Sequence, residues 1–180
     1  MARSTRPVQS EAAAEHSFRS GPETAAVRIA QAVRPRDVAR ARALFEAYAT
    51  SLAIDLSFQD FAQELATLPG AYRPPDGRLL LAEAGSHAIG VVAVRPLERD
   101  ICEMKRLYVT AETRGTGLGR HLAERAIAEA RAMGYTTMRL DTLPTMHTAI
   151  RLYRELGFRE IAPYRANPIA GALYLEAALA

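Results

Sequence analysis

The stretch of this chain best suited to chemistry is Arg114-Gly115-Thr116-Gly117-Leu118-Gly119. It follows an apolar run and precedes a segment whose apolar residues recur at helical spacing. Glycines let a backbone approach a ligand closely and take angles closed to other residues. The first N–H groups of a helix have no internal partners, and the helix dipole adds partial positive charge there. With Arg114 beside them, such groups suit a pyrophosphate. A P-loop would end in Gly-Lys-Ser/Thr, which is absent. A dinucleotide fingerprint counted from Gly115 needs Gly or Ala where Arg120 stands, and it follows the first strand of a parallel unit. From the loop alone, a glycine-rich turn with no ligand is the plain alternative. His16, His87, His121 and His147 are scattered without metal-ligand spacing, so no metal is expected. Cys102, the only cysteine, lies in an apolar strand setting and reads as a small buried hydrophobe.

The elements that must position the loop follow from periodicity. Residues 1–24 are small and polar with a Gly21-Pro22 break; they read as a flexible extension, with a short helix over Glu11 to Phe18 as the alternative. One domain is expected over 25–180. Ala25 to Val33 reads as a strand. Asp37 is placed to cap a helix with Val38, Ala41, Phe45, Tyr48 and Leu52 on one face. Ser57 is placed to cap a second, with Phe58, Phe61, Leu65 and Leu68. After a turn at 73–77, strands Arg78 to Glu83, His87 to Val94 and Ile101 to Val109 are joined by short polar links, which favours antiparallel pairing. A helix from Gly117 to Met133 carries the stripe Leu118, Leu122, Ala126, Ala130 and Met133. Thr136 to Leu143 is a strand, and Met146 to Leu156 a helix closed by Gly157. Phe158 to Ala162 and Ala172 to Leu179 close the sheet. This order gives an α+β fold with a mixed sheet, not a doubly wound one.

Composition narrows the partners. The chain has 180 residues and a formal charge of +3, and its one lysine is Lys105. No Lys/Arg run is dense enough to neutralise a stretch of phosphates, so nucleic acid is not expected; a mild attraction for an anionic ligand is. No stretch is apolar for long enough to span a bilayer, and the N-terminus lacks the apolar run of a secretory signal. A cytoplasmic protein without a membrane partner is the default expectation.

Three parts of the sequence together resemble the GCN5-related N-acetyltransferase (GNAT) family. Cys102-Glu103-Met104-Lys105-Arg106-Leu107-Tyr108-Val109 is similar to the family's central strand. Arg114, Gly117 and Gly119 satisfy its pyrophosphate pattern Arg-x-x-Gly-x-Gly. Ala149-Ile150-Arg151-Leu152-Tyr153-Arg154-Glu155-Leu156-Gly157-Phe158 resembles its later helix-strand motif. The resemblance spans 25–180. It implies a strongly twisted mixed sheet with helices on both faces, in which two parallel strands, Ile101 to Val109 and Thr136 to Leu143, splay apart. It also implies acetyl-CoA as cosubstrate, with the backbone of Leu107 to Val109 (Tyr108 included) along the pantetheine and that of Arg114, Gly115, Thr116, Gly117, Leu118, Gly119 and Arg120 on the pyrophosphate. Members are often homodimers, so the resemblance implies that assembly without locating an interface.

The implied reaction moves an acetyl group from a thioester to a primary amine of a small molecule, amino acid or peptide, by direct attack in a ternary complex. An amine of pKa near 10.4 is free in only roughly one molecule in two thousand at neutral pH, so a base helps. The carbonyl oxygen needs a donor as charge builds on it. Tyr153 matches the family tyrosine that protonates the leaving thiolate and touches the coenzyme; a packing tyrosine is the alternative. Glu103 lies where the family often places an acidic base, although beside Lys105 and Arg106 it reads equally as a salt-bridged structural group. Asp141 is the other acidic candidate. His147 stands where members often have an asparagine on the coenzyme, and a surface histidine is the simpler reading. Arg106 is a candidate partner for a carboxylate on the acceptor. Tyr48, Phe58, Tyr72, Tyr164 and Arg165 fall in the regions that shape the acceptor site in the family. A non-catalytic acyl-CoA-binding module, and a plain interaction domain without a ligand, stay open as other functions.

Overall fold

The computed structural model describes residues 26–52 and 56–179, and the backbone but not the side chain of Phe58. The expectations for residues 1–24 and for the Phe58 ring lie outside the described residues. The elements are β1 (Val27–Gln31), α1 (Pro35–Leu52), α2 (Phe61–Thr67), β2 (Arg78–Ala84), β3 (His87–Glu98), β4 (Ile101–Val109), α3 (Leu118–Ala132), β5 (Thr137–Thr142), α4 (His147–Glu155), β6 (Arg159–Ile161) and β7 (Leu173–Ala178). The strands form one sheet in the order β1-β2-β3-β4-β5-β7-β6. Only β4 and β5 pair in parallel, with α3 as their crossover, so the fold is the mixed α+β kind.

Successive side chains of a strand point to opposite faces, and β2 shows what that requires when both faces are covered. Leu79 and Leu81 pack with Ala41, Phe45 and Tyr72 on the α1–α2 side. Leu80 and Ala82 pack with Leu122, Ala126 and Ala130 of α3 on the other side. Gly90 of β3 lets α3 sit close: a Cβ there would come within 2.8 Å of a Leu122 methyl.

Three local expectations differ from the structure. Asp37 is not a cap. The helix opens two residues earlier at Pro35, a residue whose fixed φ and missing N–H suit a first helical position, while Asp37 is buried and bonded to Arg34. The segment after Ser57 is a single tight turn over 57–59, and α2 starts only at Phe61. Strand β3 runs through the segment assigned to a polar link, because Arg95 and Pro96 still pair with Glu103 and Cys102. Pro96 is tolerated since the register shifts there.

Candidate active site

The site begins with an irregularity in β4. Ala93 pairs with Lys105 and Val91 with Tyr108, so Val92 faces two residues, Arg106 and Leu107. Arg106 is at φ 57°, the left-handed region, which completes a β-bulge. That angle costs a non-glycine residue about 1–2 kcal/mol. Against it stand the bonds from Arg106 Nε and Nη2 to the Glu64 carboxylate and the stacking of its guanidinium 5.0 Å from the Phe61 ring centre. Hydrogen bonds to charged groups are worth about 1.5–3 kcal/mol each, enough to offset the strain.

The parallel strands part just before the bulge. Pairing of β4 with β5 covers Ile101, Cys102 and Glu103 opposite Thr137, Met138 and Arg139, and goes no further. Strand β5 stays paired with β7 to Thr142. A pocket opens in the gap, with about 560 Å³ of empty space counting its mouth. Its walls include Lys105 and Leu107 of β4, Asp141 and Thr142 of β5, Tyr48 of α1 and Tyr153 of α4. Of the last three residues of β4, Leu107 and Val109 pack toward the α3 side and Tyr108 toward the α1 side, its ring 6.0 Å from that of Tyr48.

The loop lies beyond the end of β4. Gly115 and Gly117 have φ of 81° and 87°, angles that glycine takes without penalty. A Cβ built on Gly115, Gly117 or Gly119 would meet nothing within 4 Å, so the space over the loop is open. The first α3 bond runs from the His121 N–H to the Gly117 carbonyl, and no side chain caps the helix. The N–H groups of Leu118, Gly119 and Arg120 therefore point beyond the helix end. Arg114 is exposed beside them, while the Arg120 side chain binds Glu124 and Glu155. Open space, bare donors and an exposed arginine fit a diphosphate.

Tyr153 is buried, against Phe158 and in the pocket wall, and its hydroxyl has no hydrogen-bond partner among the described residues. Burial pushes its pKa well above the ordinary tyrosine value, so it keeps its proton. Glu103 is wholly enclosed. One oxygen accepts from the Tyr164 hydroxyl at 2.8 Å and from Arg165, the other from Arg95 at 2.8 Å. Asp141 accepts from Arg165, from Asn167 at 3.3 Å and from Gln59 at 3.4 Å. Burial works against its charge, yet Lys105 and Arg165 hold its carboxyl below the usual range. Lys105 donates to the Gln59 side-chain oxygen at 3.0 Å and lies 3.7 Å from Asp141. Burial lowers its pKa to about 8, with Glu103 and Asp141 pushing back.

Several residues named from sequence lie elsewhere or are already engaged. Arg106 is taken by Glu64, so an acceptor carboxylate would have to displace that pair. His147 is exposed at the first position of α4. Tyr72 donates to Glu64 and does not line the gap pocket. The Cys102 thiol is buried, which drives its pKa up to about 12. Among the described residues no group of three or more His, Cys, Asp or Glu side chains is set to hold a metal, and no helix is long and apolar enough to cross a membrane. Sequence reasoning passed over Lys105, Gln59 and Asn167. Only Lys105 carried a signal: it is the single lysine in an arginine-rich chain, and strand alternation puts it on the same face as Glu103.

Comparison with known proteins agrees with this geometry. The model of the Acetyltransferase (GNAT) family matches residues 38–158. A Schizosaccharomyces pombe protein named an uncharacterized N-acetyltransferase is 41% identical over 145 residues, spanning 79% of this chain and 88% of that protein. A GNAT-family acetyltransferase from Staphylococcus aureus superposes with a TM-score of 0.71 at 18% identity, over 86% of this chain and 100% of that one. A Salmonella typhimurium protein solved with its cofactor acetyl-CoA gives a TM-score of 0.60 at 22% identity, over 86% of this chain and 94% of that one. The strand gap, the bare helix end and these matches lead to one assignment: the chain belongs to the GNAT acetyltransferase family and has an acyltransferase fold.

Proposed function

We propose that this chain transfers an acetyl group from acetyl-CoA to a primary amine of a small molecule, amino acid or peptide, by direct attack in a ternary complex. The observation that carries the reading is the coincidence of an open glycine loop at the α3 N-terminus with a strand gap that has a protonated, unpartnered tyrosine in its wall. Acetyl-CoA, the cofactor of the Salmonella neighbour, supplies the thioester. The N–H groups of Leu118 to Arg120, with Arg114, bind the diphosphate; the open edge of β4 over Leu107 to Val109 binds the amide-bearing arm.

The amine nitrogen forms a bond to the carbonyl carbon, and the carbon–sulfur bond breaks. Tyr153 gives its proton to the departing sulfur. The proton lost by the amine goes to Glu103 in this reading. Both Glu103 oxygens already accept bonds, so that transfer runs through a water or hydroxyl relay and not by contact. The Tyr164 hydroxyl, already bonded to Glu103, is placed for such a relay.

The test is release of free thiol from acetyl-CoA across a panel of amines, with Tyr153→Phe as the control. The wild type should release thiol only with an amine present. Tyr153→Phe should turn over at least tenfold more slowly with coenzyme affinity changed less than twofold. Coenzyme binding with no thiol release from any amine favours the acyl-CoA-binding module instead.

A further inference from the structure

The charges around the gap do not balance, and the imbalance is local. Arg106 and Glu64 form a pair of their own. Arg95, Lys105 and Arg165 then face two carboxylates, Glu103 and Asp141. Asp60, at the outer rim, is exposed and screened by water. Among the described residues one positive charge is left over, in a setting where Lys105 is 5% exposed and Arg165 22% exposed.

Two observations show where the deficit falls. Arg165 Nη2 bonds both carboxylates, but its Nε is buried with no partner among the described residues. An unused buried donor of this kind is destabilising until something accepts from it. Lys105 donates to a neutral amide, and its nearest carboxylate oxygen, Asp141 Oδ1, is the one Arg165 holds at 2.5 Å. Its lowered pKa has the same cause: burial is opposed by too little negative charge. The place is also right. Lys105 lines the gap pocket with Tyr153, whereas Arg95 and Arg165 line a second, outer pocket, and Gln59 borders both.

We propose that the acceptor is an amino carboxylic acid, whose carboxylate docks between Lys105 and Arg165 while its amine reaches the strand gap. This rests on the acyl-transfer reading and narrows it. The carboxylate supplies the missing negative charge and accepts from buried donors, the kind of charge-assisted bond that two cations at one seam provide. An amine without a carboxylate leaves the deficit in place and brings a second cation toward it.

The experiment compares each of the twenty amino acids with its α-carboxamide and with its decarboxylated amine, at fixed acetyl-CoA. The α-amine of a carboxamide has a pKa of about 8, so more of it is free than of the acid's amine, and a preference for the acid cannot come from amine availability. The best acid should exceed both partners at least tenfold in kcat/KM, mainly through KM. Lys105→Met should bring that ratio near one, and Lys105→Arg should keep most of it. Carboxamides or decarboxylated amines used as well as the acids overturn the proposal and leave acyl transfer standing. So does a preference that survives in Lys105→Met. If that variant does not fold, the wild-type ratio alone decides. Thiol release with none of the three classes overturns this proposal, and the wider amine panel then decides acyl transfer separately.

Discussion

The two ends of the site are built from opposite materials. The proposed coenzyme end is backbone: seven consecutive residues, 114–120, of which Leu118 alone is buried. The proposed acceptor end is side chain: Gln59, Arg95, Glu103, Lys105, Asp141, Arg165 and Asn167 come from distant parts of the chain and close on one another in ion pairs and hydrogen bonds. A diphosphate is the same in every reaction, and bare N–H groups that no side chain alters are enough to hold it. An acceptor varies, and its recognition lies in charges whose positions depend on the whole fold. One end can thus lose side chains without unfolding, whereas the other is also a structural centre.

The sharpest way to break that contrast is to remove a charge from each end. Glu103→Ala leaves Arg95 and Arg165 without their shared partner in the interior. Taking one member from a buried ion pair costs about 3–5 kcal/mol, and chemical denaturation should show a loss of that size. Arg114→Ala, on the exposed loop, should stay within about 0.5 kcal/mol of wild type in the same measurement. It should still weaken coenzyme binding severalfold in a calorimetric titration. A Glu103→Ala protein as stable as wild type would mean that the charged cluster does not hold the acceptor side together.

A smaller effect sharpens the same division. At Gly117, φ is 87° and an added Cβ meets nothing. Gly117→Ala should therefore cost the fold only the left-handed strain, about 1–2 kcal/mol. A bound diphosphate would fill that open space, so coenzyme affinity should fall tenfold or more. Equal losses in stability and affinity would show the strain alone at work.

The same difference decided what could be read beforehand. Strand β4 was placed from Ile101 to Val109 and α3 to within a residue, because apolar periodicity and the glycine loop are local signals. The parallel β4–β5 pair and helices on both faces came with the family resemblance. The Asp37 cap fails because Pro35, two residues before that good capping residue, already marks the first turn. The Arg106–Glu64 pair was out of reach for a deeper reason. Glu64 is 42 residues away from Arg106 and meets it only because the bulge turns Arg106 toward α2. Arg165 reaches Glu103 across 62 residues, and nothing near either residue announces the contact. Glu103 itself was legible as an acidic strand residue, but not the three donors that enclose it.

The smallest effect concerns Lys105 and pH. Its pKa is about 8 in the folded chain, below the 10.5 of an ordinary lysine, so the unfolded chain holds this proton more tightly. The sign follows by linkage: the charged Lys105 costs stability below pH 8, and the cost shrinks as pH rises from 8 toward 10.5. Lys105→Met removes the charge and keeps the length of the side chain. Its stability relative to wild type should be most favourable near pH 7 and should decline by about 1 kcal/mol by about pH 8.7, in paired denaturation curves. A carboxylate bound beside Lys105 should hold the proton in place and flatten the difference, which ties the titration to the acceptor. A difference that does not change with pH would mean that Lys105 is fully compensated in the free protein, and the charge deficit at the acceptor end would not exist.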